Sequence, residues 1–176
     1  MQKEYQTLWD KCVAFHGHAC GGLAIGFRAA LYAMELLEAA PAKDEELVCV
    51  AECDACGVDA IQALLGCTVG KGNLLFSLRG KQAFSFYRRS DGKGVRLVLR
   101  DSFRGNREKR LSWLMDGDYR EMFDVKPVRQ PLPEKARIFR SCTCALCGES
   151  MAEDHARLQD GNVVCEDCYL PYTRGF

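Results

Sequence analysis

Two imidazoles and a thiol fall within five residues in Phe15-His16-Gly17-His18-Ala19-Cys20-Gly21-Gly22, and two of the three histidines of the chain are here. Imidazole nitrogen and thiolate sulfur are the donors that zinc, iron and nickel accept in mixed sites. A long apolar segment follows directly, Leu23 to Leu37, and its spacing predicts a helix over about 20–39 that ends before Pro41. Cys20 therefore stands at a helix N-terminus, where free N–H groups and the helix dipole favour a thiolate and lower its pKa. Cys56 is in the same setting: Leu47–Glu52 reads as a buried strand, and Cys53-Asp54-Ala55-Cys56 leads from it into a helix of about ten residues. Cys67 comes next, in the glycine-rich stretch Gly66-Cys67-Thr68-Val69-Gly70-Lys71-Gly72-Asn73.

These segments define a candidate core metal centre drawn from His16, His18, Cys20, Cys56 and Cys67, with Cys53 as a further donor. No four of them are contiguous, so the ligand set stays open. Zinc is the default metal for mixed nitrogen and sulfur donors, with iron or nickel as alternatives. Asp59 lies one helical turn after Cys56, placed to orient a histidine. Fewer than four protein ligands would leave a position for water or substrate, with Cys56, His18 and Asp59 as the catalytic candidates. A second reading takes Cys53 and Cys56 as a thiol redox pair at a strand-to-helix transition. The glycine stretch is not a phosphate loop: three residues rather than four separate Gly66 from Gly70, and Gly72 rather than a hydroxyl residue follows Lys71.

The C-terminal segment carries the most specific pattern. Cys144-Ala145-Leu146-Cys147 and Cys165-Glu166-Asp167-Cys168 are two C-x-x-C knuckles around a hairpin signal, Asp160-Gly161. Four thiolates at this spacing fit a structural zinc ribbon without an open coordination position. Cys142 is left over. A zinc ribbon also serves as a docking module, so a regulatory or interaction protein is a third reading. Nucleic acid is disfavoured, because residues 134–176 hold five basic and seven acidic side chains.

The elements that must position these groups read as follows. A first helix over 3–14 places Leu8, Cys12 and Phe15 on one stripe, with Trp9 beside it. From Asn73 to Arg100 the periodicity changes to two, and 74–78, 83–88 and 95–100 read as an antiparallel meander. A helix over 106–116, a turn over 119–123 and an edge strand over 124–128 follow. Pro131 and Pro133 mark a linker. The fold class is α+β, helices packed on an antiparallel sheet in a core domain over 1–130, then a linker over 131–139 and a small four-cysteine ribbon over 140–176.

Composition sets bounds. Eleven cysteines is many for 176 residues; the number is odd, and no signal-peptide pattern opens the chain. C-x-x-C pairs in such a chain indicate metal binding in a reducing cytoplasm rather than disulfides. The apolar stretch 21–40 is interrupted by Arg28, Glu35 and Glu38, which is wrong for a membrane span. Net charge is zero but unevenly spread: residues 1–60 hold four basic and ten acidic side chains, residues 79–110 eleven basic and three acidic. The basic region is either an anion- or partner-binding face or the solvated side of the sheet.

Taken together, F-H-G-H-x-C-x-G over 15–22, C-x-x-D-A-I-Q over 56–62, G-C-T-x-G-K-G-N-L over 66–74 and the terminal ribbon resemble the FmdE family, which takes its name from a component of formylmethanofuran dehydrogenase. The family usually has Cys-Pro-Gly where this chain has Cys20-Gly21-Gly22, so a looser helix start is expected here. The resemblance implies an α+β core with a metal centre, a zinc ribbon and a homodimer. It also implies an association with a molybdopterin or tungstopterin oxidoreductase of one-carbon metabolism.

Overall fold

The computed structural model describes residues 3–100 and 105–174. The chain divides into two compact units, Met1–Ala136 and Arg137–Phe176. The first contains helices α1 (Lys3–His16), α2 (Gly21–Leu37), α3 (Gly57–Leu65), α4 (Arg107–Asp116) and α5 (Tyr119–Met122), and strands β1 (Leu47–Ala51), β2 (Leu74–Phe76), β3 (Ala83–Arg88), β4 (Gly94–Leu99) and β5 (Phe123–Lys126). The second contains β6 (Ser141–Thr143), β7 (Ser150–Ala152), β8 (Arg157–Gln159) and β9 (Asn162–Val164). No helix among the described residues is long and apolar enough to cross a membrane.

The five strands of the first unit form one sheet in the order β2-β1-β3-β4-β5. It is antiparallel except at β1–β2, which run parallel with Cys49 opposite Leu74. This corrects the continuous meander expected over 73–100: β2 does not pair with β3, because β1 lies between them. The connection from β1 to β2 is α3, and a parallel pair needs such a crossover. β1 is accordingly buried along its whole length, on both faces.

Alternation along the strands separates two layers. Leu47, Cys49, Ala51, Phe84, Phe86 and Leu97 belong to the main core with the helices. Val48, Val50 and Tyr87 face the other way, where Val128 and Leu132 pack on them. The segment after β5 thus runs as a strap along the outer face. The Tyr87 hydroxyl donates to the Gln130 carbonyl at 2.9 Å, and Arg89 donates to the carbonyls of Pro133 and Glu134.

Helix α2 is the axis of the core, buried from Leu23 to Ala33. The apolar stripe of α1 reaches it through Trp9, whose ring meets Phe27 edge-on at 5.3 Å. Phe15, expected on that stripe, is exposed: it sits in the last turn, and the chain reverses at Gly17, whose φ is +92°. Arg28 is buried in α2, donates to the Gly117 carbonyl and lies 4.9 Å from the Tyr119 ring centre.

The approach of α3 to α2 depends on glycine. A Cβ on Gly26 would collide with the Gly57 carbonyl, and its nearest atoms are all backbone. Backbone cannot swing aside as a flexible side chain can, so overpacking of this kind costs about 1–3 kcal/mol. Alanine regains up to about 1 kcal/mol of helix propensity over glycine. We expect Gly26→Ala to destabilise on balance and to lower the midpoint of thermal unfolding by a few degrees, roughly 2–4 °C per kcal/mol. A higher midpoint would refute the close approach of the two helices.

Candidate metal centres

His16 is the last residue of α1, and the Gly17 amide closes the helix on the Val13 carbonyl at 2.7 Å. Beyond that turn Cys20 is the N-cap of α2, its Sγ accepting from the Leu23 amide at 3.3 Å. The helix begins at Gly21, directly after Cys20. Gly22 has a packing role there, since a Cβ on it would lie 3.1 Å from the Cys56 Cβ. Cys56 stands immediately before α3 in a right-handed helical conformation. The Gly26–Gly57 approach brings that helix start against α2.

The three side chains converge. His16, Cys20 and Cys56 offer ligand atoms that all lie within 4.8 Å of one another. The Cys20 Sγ is 4.0 Å from His16 Nε2, within about half an ångström of the roughly 3.6 Å that separates a sulfur from a nitrogen donor around a tetrahedral zinc. The other nitrogen, His16 Nδ1, is 2.7 Å from Asp59 Oδ2, and Gln62 donates to Asp59 Oδ1 at 3.2 Å. A carboxylate on Nδ1 fixes the tautomer that leaves the Nε2 lone pair free to bind a metal. Burial and the neighbouring Cys20 push the Cys56 thiol upward. This is opposite to the lowering expected from the helix start. Two thiols side by side resist a second negative charge unless a cation joins them. A cleft of about 380 Å³ opens beside the trio, lined by His16, Asp54, Cys56, Asp59, Gln62 and Phe76.

His18, Cys67 and Cys53 are not in this group. His18 is exposed, its ring 4.5 Å from that of His16. Sequence alone could not rank the two histidines; the end of α1 does, holding one and releasing the other. Cys67 is fully buried, its thiol donates to the Leu47 carbonyl at 3.7 Å, and burial pushes its pKa up to about 12. Cys53 turns instead to Gln82 Oε1 at 3.8 Å, and burial raises its pKa as well.

The glycine-rich motif around Cys67 is a lock between loops. Asn73 is fully buried and donates to the carbonyls of Asp44, Leu47 and Gly66, while its Oδ1 accepts from the Thr68 amide. Lys71 donates to the carbonyls of Ala42 and Lys43.

In the second unit, Cys144, Cys147, Cys165 and Cys168 form a four-thiol group within the same 4.8 Å limit. Gly148, at φ +77°, makes the first knuckle turn, its amide donating to the Cys144 carbonyl. The second knuckle repeats the pattern with the Cys168 and Tyr169 amides on the Cys165 carbonyl. Backbone amides of Cys147 and Cys165 draw the Cys144 pKa down to about 6, while the Cys165 thiol beside it pushes Cys168 up to about 12. Cys142 pairs with Met151 in β6–β7 and is not in the group.

The model of the family described as FmdE, molybdenum formylmethanofuran dehydrogenase operon, matches residues 15–138. The chain belongs to the FmdE family. A solved protein from Syntrophus aciditrophicus, described as tungsten formylmethanofuran dehydrogenase FmdE-like, superimposes with a TM-score of 0.62 at 25% identity, covering 93% of this chain and 91% of that one. A protein of Archaeoglobus fulgidus named as a probable S-adenosyl-L-methionine-binding protein is 34% identical over 97% of this chain. This chain spans 55% of that relative's length. The FmdE match begins at Phe15, so it includes His16, Cys20, Cys56 and Asp59, and it stops before the four-cysteine group.

Asp59 can be tested apart from the three candidate ligands. Loss of a carboxylate behind a ligating histidine typically weakens metal binding about 10–100-fold. We expect Asp59→Asn to weaken the metal affinity of the FmdE core by that factor in chelator competition, with the ribbon unaffected. Unchanged core affinity would reduce Asp59 to a packing residue.

Proposed function

We propose that this FmdE protein carries two metal ions: a structural zinc in the ribbon, and a core ion held by His16, Cys20 and Cys56 with one position left for an exogenous ligand. The carrying observation is the convergence of three donors beside an open cleft, with Asp59 on the far nitrogen of His16. Zinc is the metal this donor set favours; iron or nickel fit the same chemistry. Such an ion would supply Lewis acidity or an activated water. The chain's own residues would orient the imidazole through Asp59 and present Gln62 and Asp54 to a ligand in the cleft.

In this reading the protein is cytoplasmic and homodimeric, and acts as an accessory component or associate of a molybdenum or tungsten pterin oxidoreductase of one-carbon metabolism. Support for the association is the family description and the printed name of the Syntrophus protein.

Cobalt substitution of the anaerobically purified protein tests the core site. Two cobalt ions per chain are expected, and the core ion's visible bands shift when a small ligand such as azide or imidazole is added, while the ribbon's do not. One ion per chain, or a spectrum indifferent to both ligands, overturns the open core site. Failure to recover a molybdenum- or tungsten-containing oxidoreductase with the tagged protein from its own cells would overturn the association alone.

A further inference from the structure

The outer face of the sheet holds a second cavity, of about 220 Å³, that shares no lining residue with the cysteine cleft. Its floor follows from register. Val50 lies opposite Ser85, and Ser85 opposite Arg96, all on the face away from the helices. Glu52, two residues beyond Val50, takes two hydrogen bonds from Arg96 at 2.5 and 2.8 Å, and both side chains are buried. The wall is built from Ser77 and Arg79 on one side and from the strap residues Arg129 and Gln130 on the other.

Charge decides what such a cavity accepts. The basic excess of residues 79–110 is largely committed to the fold. Arg88 pairs with Asp91, Arg89 with Glu45, and Arg100 with Asp124, while Lys93 donates to the Leu36 carbonyl. Glu52, the acidic residue of the cavity, is already matched by Arg96. Its carboxyl is held below the usual range first by Arg96, with smaller contributions from Arg129 and Lys81. Arg79 commits one guanidinium nitrogen to the Leu78 carbonyl. Arg129 has no hydrogen bond or ion pair among the described residues. Its backbone is nevertheless fixed: Val128 packs on the outer layer on one side, and on the other the Gln130 carbonyl accepts from Tyr87. Two guanidinium groups and two serine hydroxyls, Ser77 and Ser85, thus line the cavity, with the one carboxylate neutralised.

We propose that this cavity binds a small oxyanion of the phosphoryl class, gripped by Arg79 and Arg129 above the hydroxyls of Ser77 and Ser85. Guanidinium forks match phosphoryl oxygens in pairs, and the hydroxyls donate to the remaining ones. The volume is that of roughly seven water molecules, room for a phosphate group but not for a large metabolite as a whole. Cations are excluded by the positive excess.

The test is calorimetric titration of the metal-loaded full chain with inorganic phosphate at constant ionic strength set by sodium chloride. Saturable one-to-one binding is expected. Arg79→Gln and Arg129→Gln should each weaken it at least about tenfold, with Arg129→Lys losing less. Both arginines are exposed, so the variants should unfold at the wild-type temperature and keep the wild-type metal content, which separates this site from the core metal. Two further titrants define the ligand. Glycerol 3-phosphate binding more tightly than inorganic phosphate identifies the phosphoryl group of a metabolite; the reverse order identifies free phosphate. Acetate binding as well as phosphate, no saturable binding, or binding indifferent to both glutamine variants overturns the proposal.

Discussion

Replacing Cys56 by serine will lower the metal content of the chain from two equivalents to one. The side chain is half-buried beside Gly22 and Cys20, so exchange of sulfur for oxygen changes little volume and the fold should persist. The donor chemistry changes completely. A thiol becomes thiolate on binding metal, whereas a serine hydroxyl keeps its proton near neutrality and His16 and Cys20 are left as a two-donor site. Elemental analysis of the full chain, with circular dichroism to check the fold, reads the result. Cys53→Ser and Cys67→Ser serve as contrasts and should keep both ions, because Cys53 turns to Gln82 and Cys67 to the Leu47 carbonyl. Two ions retained in Cys56→Ser would remove the core centre from consideration. Loss of the core ion in Cys53→Ser would reopen the choice of ligands.

Stripping the ribbon's metal should unfold residues 137–176 and leave the first unit intact. Among its described residues, only Cys144 and Val164 are buried apolar groups in this unit, and Cys144 is itself one of the four thiols. Its strands are three residues each, in two separate pairs. A piece of this size does not fold on such a core, and structural zinc in comparable modules contributes about 10–16 kcal/mol of apparent binding energy. Limited proteolysis with excess chelator should therefore cut within 137–176 and leave a resistant fragment ending near 136. Cys147→Ser should do the same without chelator. Continued resistance of the C-terminal unit at high chelator would show that thiol packing alone holds it.

What the sequence made legible follows how local the determining interaction is. The ribbon could be read because its four cysteines lie in two knuckles whose spacing is the geometry. The helices α2 and α3 were legible from apolar periodicity, and Asp59 from its one-turn offset to Cys56. The order of the sheet was not, since nothing in residues 74–76 says that β1, more than twenty residues earlier, will pair beside them rather than β3. The core cluster was half legible. His16, His18, Cys20, Cys56 and Cys67 were all candidates by chemistry, but the choice among them rests on where α1 stops and on two helices meeting at Gly26 and Gly57. Gly26 and Gly57 were the missed residues, together with the packing of Gly22 on Cys56. Their signal was present in the run of small side chains near each cysteine, though a glycine in sequence does not say whether it serves a turn or a close approach. The basic stretch 79–110 was ambiguous for a similar reason: only the fold shows which arginines are already paired.

Cys20 and Cys56 stand about three dozen residues apart in the chain, and an ion shared between them is a cross-link as much as a centre of chemistry. Closing a loop of that length removes about 4 kcal/mol of freedom from the unfolded chain by the entropy estimate for covalent bridges. Read instead as binding linkage, metal at a hundredfold excess over its dissociation constant stabilises the folded chain by about 2.7 kcal/mol. Changes of this size alter the steady-state abundance of a protein several-fold through proteolytic turnover. Cells starved of the core metal should hold less of this protein, at unchanged transcript level, before any reaction it supports is measured.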